Sequence, residues 1–153
     1  MAFIDTRLAE LAIVLPPLPQ PAVNHVPFVI SQGLLFISGQ GPTGKDGQWC
    51  RGCVGRDLSH QRAYEHARFA GIRLLSVAKA ALRNLDRIQR VVKVVGFVNT
   101  EPGFRKHSAV INGCSDLFLE VFGEKGRHAR SVIGVSSLPE NMTVQVEAVL
   151  EFL

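Results

Sequence analysis

The segment that most constrains the fold is the last one. Met142, Val144, Val146, Ala148, Leu150 and Phe152 alternate without a break with Thr143, Gln145, Glu147, Val149 and Glu151. Successive side chains of a strand point to opposite sides, so this pattern predicts one strand with an apolar face to be covered and a second face that is mixed. The cover is written into the middle of the chain. Ala63, Ala67, Ala70, Leu74, Val77, Ala81 and Leu85 recur every three or four residues, and Asp57 or Ser59 stands ready as N-cap; this predicts a long helix whose small residues allow a close approach to a sheet. A second helix is expected where Val110, Cys114, Leu117, Phe118, Val121 and Phe122 share one side, ending at Gly123.

The remaining strands follow from runs of apolar residues. Val26–Ile30 and Leu34–Ile37 are separated by Ser31-Gln32-Gly33, and Ser38-Gly39-Gln40-Gly41-Pro42 breaks the second. A glycine-rich loop to residue 56 is expected to hold a short strand near Trp49. Val91–Val98 has the β-branched content of a buried strand, and Arg130–Val135 forms a short one before the Leu138-Pro139 connector. The order is β-β-(β)-α-β-α-β-β. Its two strand–helix–strand crossovers predict parallel neighbours and a mixed sheet with two helices packed on one face, an α+β fold. The other face is left uncovered, and its half-polar character predicts self-association. Ahead of this domain, expected to span 22–153, residues 1–21 read as a short helix with Ile4, Leu8, Leu11 and Leu15 on one side, followed by a tail held extended by Pro16, Pro17, Pro19 and Pro21.

With 153 residues, 46% of them apolar, the chain is long enough for a single core without disulfide or metal staples. No apolar run approaches the roughly 20 residues of a membrane-spanning helix, and Asp5, Arg7 and Glu10 interrupt the N-terminal stretch in a way a secretory signal avoids. A cytoplasmic location with no membrane partner is expected. Seventeen basic residues against 13 acidic suit an anionic ligand without requiring nucleic acid, because no aromatic residues interleave with the charges. The basic residues of the long helix and just beyond it, Arg73 among them, read as a solvated outer face. Cys50-Arg51-Gly52-Cys53 has redox or zinc spacing, but His60 and His66 share no helix face that could complete a ligand set. A reduced pair with no metal and no cofactor is expected.

The C-terminal block His128-Ala129-Arg130-Ser131-Val132-Ile133-Gly134-Val135, then Leu138-Pro139, then Val144-Gln145-Val146-Glu147-Ala148, resembles the signature of the RidA/YjgF family. Ser38-Gly39-Gln40 after an apolar strand and Asn112 in the second helix match two further motifs. The resemblance runs from Ala22 to Leu153, and the extended N-terminus is similar to that of a longer subgroup. It implies a chorismate-mutase-like fold, a homotrimer, and pockets between subunits in which small carboxylate metabolites bind. It also implies an enamine/imine deaminase activity that hydrolyses 2-imino acids to 2-oxo acids and ammonia. Arg130 takes the place of the arginine that grips the carboxylate, for which a planar guanidinium fork is well suited. Gly39 matches a backbone approach to the ligand, Asn112 a polar neighbour, and Val132 the residue whose carbonyl holds the attacking water.

Two positions depart from the pattern. The family's acidic residue corresponds to Gln145, whose amide hydrogen-bonds water but takes no proton from it. The tyrosine near the first strand corresponds to His25, which is either a proton carrier or a solvent-facing turn residue. Arg130 could alternatively pair with Glu147, which is expected to be buried and paired at the interface between copies, and Asn112 could be a helix-start residue. Gln145 keeps open a second function, a trimer that binds small carboxylates without turning them over. Ribonuclease activity ranks last, since no acid/base pair beside a phosphate cradle is evident.

Overall fold

The computed structural model describes residues 2–18, 20 and 22–153; Pro19 and Pro21 of the expected extended tail lie outside the described residues. Five strands form one sheet: β1 (Phe28–Ser31), β2 (Leu34–Gln40), β3 (Ile88–Asn99), β4 (Ala129–Val135) and β5 (Val144–Phe152). Their order is β1-β2-β5-β3-β4. β1, β2, β5 and β3 run antiparallel to their neighbours, and β3 and β4 are parallel. Only one of the two crossovers therefore returns to an adjacent strand. β2 and β3 point the same way, but β5 is inserted between them, because its apolar face fills the centre of the sheet better than an edge.

Two helices cover one face, and a third packs beside them. α2 (His60–Leu82) is capped by the Ser59 hydroxyl, which accepts from the Arg62 N–H at 3.1 Å. α3 (His107–Phe122) ends at Gly123, where φ is +63°. Both press onto Leu35, Val91, Val94, Val98, Val144 and Val146, all fully buried. The two helices meet at small residues: a methyl group on Gly113 would run into the Tyr64 carbonyl, and one on Gly71 would meet Cys114 and Leu117. The third helix, α1 (Phe3–Glu10), adds to the expected pair. Ile4 and Leu8 are buried, the Phe3 and Ile4 N–H groups donate to the Asp86 carboxylate, and Lys79 Nζ meets Asp5 at 2.7 Å.

Several local expectations shift. β1 begins at Phe28, not Val26, since Pro27 has no N–H to donate, and the Val26 and Pro27 carbonyls instead accept from the Ser38 hydroxyl and N–H. Ser38-Gly39-Gln40 does not end β2; the strand passes through with a bulge between Ile37 and Gln40. Near Trp49 there is a single bridge to Thr43 and no strand. The basic face of α2 is not uniformly solvated. Arg73 is 9% exposed, its guanidinium lies 5.1 Å from the Trp49 ring, and its Nε is buried without a partner. The glycine-rich loop folds over it, which the helical pattern alone could not show.

Candidate functional site

β5 presents its two faces as its alternation requires. Val144, Val146, Ala148 and Leu150 are buried under the helices, whereas Gln145 and Val149 are half-buried and Glu147 is exposed on the other side. That open face gathers apolar groups from every part of the sheet: Val29 is 53% exposed, Phe36 43% and Ile133 47%. A shallow cleft of about 300 Å³ crosses it, lined by Phe36, Ser38, Lys93, Val95, Glu147 and Val149 among others. Within one chain Glu147 makes no ion pair among the described residues, and its expected partner at an interface between copies lies outside a single chain. Arg130 is not its partner either, because Arg130 stands level with buried Val94 on the helix side, and Glu147 stands level with Val95 on the open side.

The residues singled out from the sequence fall into two groups. In the first, Arg130 at the start of β4 reaches α3. Its Nη1 donates to Asn112 Oδ1 at 2.8 Å and to Ser115 Oγ at 3.0 Å. Both bonds leave from one nitrogen, so Nε and Nη2 have no acceptor among the described residues. Asn112 is the sixth residue of α3, not a helix-start residue, and its exposed amide fixes the guanidinium. Val132 lies two residues along on the same side. The Val135 carbonyl accepts from the Thr100 N–H toward β3, so by strand alternation the Val132 N–H and carbonyl point out from the free edge of the sheet.

The second group lies at the far end of β2. Gly39 sits in the bulge directly against the Gln145 side chain, so that a methyl group there would collide with the Gln145 amide. His25 is exposed in the segment leading to β1, one residue before the Val26 carbonyl that Ser38 holds; its Nδ1 is 2.9 Å from Asn24 Oδ1. Within one chain, Gly39 and Gln145 belong to the open face, and Arg130, Asn112 and Val132 belong to the helix-side edge. The fold brings each group together and keeps the two apart.

Two polar residues beside Arg130 were not evident from the sequence. Ser115 Oγ is 2.8 Å from His128 Nε2, and His128 Nδ1 is 2.6 Å from the Gly126 carbonyl. Burial, together with the charge of Arg130, lowers the His128 pKa, while the Gly126 hydrogen bond works against that shift. Burial also pushes the Cys114 thiol, one residue before Ser115, up to about 12, making it an inert core group. The signal for His128 was its place two residues before Arg130; that for Ser115 was its spacing of three from Asn112, which puts both on one helix face.

Other titratable residues are accounted for elsewhere. His66 is buried with Nδ1 3.0 Å from Thr143 Oγ1, and its pKa is lowered by desolvation and then by Arg62. The three cysteines are free thiols, with burial and Asp46 raising Cys50. Among the described residues no cluster of three His, Cys, Asp or Glu side chains could hold a metal, and no helix is long and apolar enough to cross a membrane. A more polar cleft of about 500 Å³ lies at the carboxyl ends of β3 and β4, beside Thr100, Glu101 and His107, and contains none of the residues expected to bind ligand.

The chain matches a family described as "YjgF/chorismate mutase-like, putative endoribonuclease" over residues 5–152, a span that starts inside α1. It is 42% identical to Protein TCP17 of Trypanosoma cruzi over 97% of its own length and 93% of that protein. Among solved structures it is similar to the protein Atu1372 of Agrobacterium tumefaciens, whose function is unknown, with 43% identity, 98% and 93% of the two chains covered and a TM-score of 0.90. It is also similar to a "putative endoribonuclease" of Shewanella oneidensis MR-1, with 29% identity, 97% and 99% coverage and a TM-score of 0.92.

Proposed function

Since the chain belongs to the YjgF/chorismate mutase-like family, we propose that it is an enamine/imine deaminase which binds small 2-imino acids through Arg130 and hydrolyses them to 2-oxo acids and ammonia. The observation that carries this reading is the half-engaged guanidinium. Asn112 and Ser115 hold Nη1 in place, and Nε and Nη2 remain to pair with both oxygens of a carboxylate. The Val132 carbonyl at the adjacent free edge is the acceptor that positions a water beside the C=N carbon. Holding water and electrophile together accounts for much of such a rate enhancement.

The working unit in this reading is a homotrimer assembled through the open sheet faces. Apolar Val29, Phe36 and Ile133 are covered on association, and Gly39, Gln145 and His25 of one copy close over Arg130 of the next. The separation of the two residue groups within one chain favours this arrangement over a site built in a monomer.

Gln145 supports a second reading, a trimer that binds small 2-oxo or 2-imino carboxylates without turnover, because an amide cannot act as general base. Nucleolytic activity has less support, since the Arg130 site offers a single guanidinium and no cradle for a phosphate chain.

Ammonia release from freshly generated 2-aminoacrylate, measured above the spontaneous rate, tests the hydrolase. We expect catalysed release in the wild type and its loss in Arg130→Ala, together with a roughly 30- to 100-fold weaker affinity for a 2-oxo acid. Saturable 2-oxo acid binding with no turnover would select the binding protein instead. Loss of neither binding nor turnover in Arg130→Ala would refute both.

A further inference from the structure

Gln145 leaves the proposed reaction without a proton acceptor where the family pattern has a carboxylate, and the nearest hydrogen-bonded chain points to a replacement. We propose that Ser115 and His128 form a proton relay serving the Arg130 site, with His128 as the base and Ser115 as the group that touches water and substrate. This rests on the hydrolase reading given above.

The chemistry of the partners fixes the direction of every hydrogen bond in the chain. The Gly126 carbonyl only accepts, so His128 Nδ1 carries a proton and donates it at 2.6 Å. In the neutral ring Nε2 is then an acceptor, and the group 2.8 Å away that donates to it is the Ser115 hydroxyl. Arg130 Nη1 only donates, and it reaches a lone pair of the same hydroxyl at 3.0 Å. The ring is braced edge-on by Phe118, with centroids 6.0 Å apart, and this holds Nε2 on Ser115. A side chain with a base beside it, an orienting group behind the base and a substrate anchor next to it meets the geometric tests for acid–base function.

The surroundings keep the base in its working form. Burial first, and the positive charge of Arg130 after it, lower the His128 pKa against the opposing Gly126 hydrogen bond, which favours the neutral ring. The other charges nearby are occupied: Arg127 pairs with Glu124 at 3.3 Å, and Asp116 accepts from the Tyr64 hydroxyl at 2.7 Å. A carboxylate bound to Arg130 would offset the charge that now suppresses protonation and so raise the basicity of His128 once substrate is in place.

The steps balance. Water oxygen forms a bond to C2 of the iminium acid while one water proton passes to Ser115 Oγ and the Ser115 proton passes to His128 Nε2, giving a carbinolamine and an imidazolium. In that state Nε2–H and Arg130 both donate to Ser115 Oγ, which frees the hydroxyl proton to point at the substrate. That proton goes to the amino nitrogen as Nε2 restores it to Ser115. The C–N bond then breaks, the hydroxyl oxygen becomes the carbonyl of the 2-oxo acid, and its proton leaves with ammonia as ammonium.

The experiment compares Ser115→Ala, Ser115→Thr and His128→Gln with wild type, reading kcat with 2-aminoacrylate, the pH dependence of kcat/KM, and the dissociation constant of a 2-oxo acid. We expect Ser115→Ala and His128→Gln to lower kcat about 100-fold or more while the dissociation constant moves less than about threefold. Ser115→Thr should restore most of the rate because it restores the hydroxyl, and the acidic limb of the profile should vanish in His128→Gln. A purely structural role, in which the pair only steadies Arg130, predicts weakened binding with kcat and the pH limb unchanged; that result, or full activity in Ser115→Ala, would overturn the relay and leave the hydrolase reading standing. Absence of turnover in wild type would overturn the hydrolase reading and the relay with it. Nitrogen NMR of the wild-type imidazoles gives a measurement independent of any variant: His128 should be the neutral Nδ1–H tautomer near pH 7, and a proton found on Nε2 would refute the assignment.

Discussion

The two faces of the sheet are made by alternate residues of the same strands, yet they solve opposite problems. On one face Val94, Val144 and Val146 are sealed beneath α2 and α3, with glycines at the helix crossing so tight that a methyl group does not fit. On the other, Val29, Phe36 and Val149 share space with Lys93 and Glu147 and remain in contact with water. The closed face is complete within the chain and accounts for its stability. The open face is too apolar to be an ordinary surface and too polar to be a core, which is the character the proposed association between copies requires.

The closed face is most sensitive at the helix crossing. Gly113→Ala places a methyl group on the Tyr64 carbonyl and should cost about 3 kcal/mol, seen as a lower urea midpoint with an unchanged slope. Phe36→Lys, on the open face, should leave helical circular dichroism intact and instead dissociate the assembly, which light scattering would report as a fall to the mass of a single chain. A variant that unfolds, or one that stays associated, would show that the two faces are not divided in this way.

A smaller effect concerns acid. His66 sits at the closed face, and burial followed by the Arg62 charge places its pKa below 6.5 in the folded chain. The unfolded chain then binds more protons in the window just under 6.5, so stability should fall as pH drops through that value. His66→Gln should flatten the dependence of the urea midpoint between roughly pH 7 and pH 5. The smallest effect expected is at the rim of the helix layer. Tyr64→Phe loses a hydrogen bond to Asp116 and should cost about 1 kcal/mol near neutral pH. Because the folded pKa of Tyr64 is raised to about 12, the wild-type advantage should be full below pH 10 and disappear as pH rises from 10 toward 12.

The closed face was legible in the sequence, and the site only partly so. Alternation in 142–152 and the stripe from Ala63 to Leu85 report which side of an element is buried, and the structure agrees on both. They do not report which strands are neighbours, and so the insertion of β5 between β2 and β3 was missed. Gly39 looked like the end of a strand because glycine and serine punctuate, whereas here glycine lets the Gln145 side chain lie against the backbone within a bulge. Motifs located Arg130 and Asn112, and the structure joins them by a hydrogen bond. Ser115 and His128 escaped notice because they meet only when α3, the turn through Gly126 and β4 have folded back on one another.

In the proposed assembly a working site takes Arg130 from one copy and Gly39 with Gln145 from the next. Arg130→Ala and Gly39→Trp chains, each inactive alone, should be co-expressed and their 2-oxo acid binding capacity counted by calorimetry. Random assortment of shared sites predicts recovery of about a quarter of the wild-type sites at wild-type affinity. Mixed assemblies that bind nothing would contradict a site shared between copies and place both halves in the same chain.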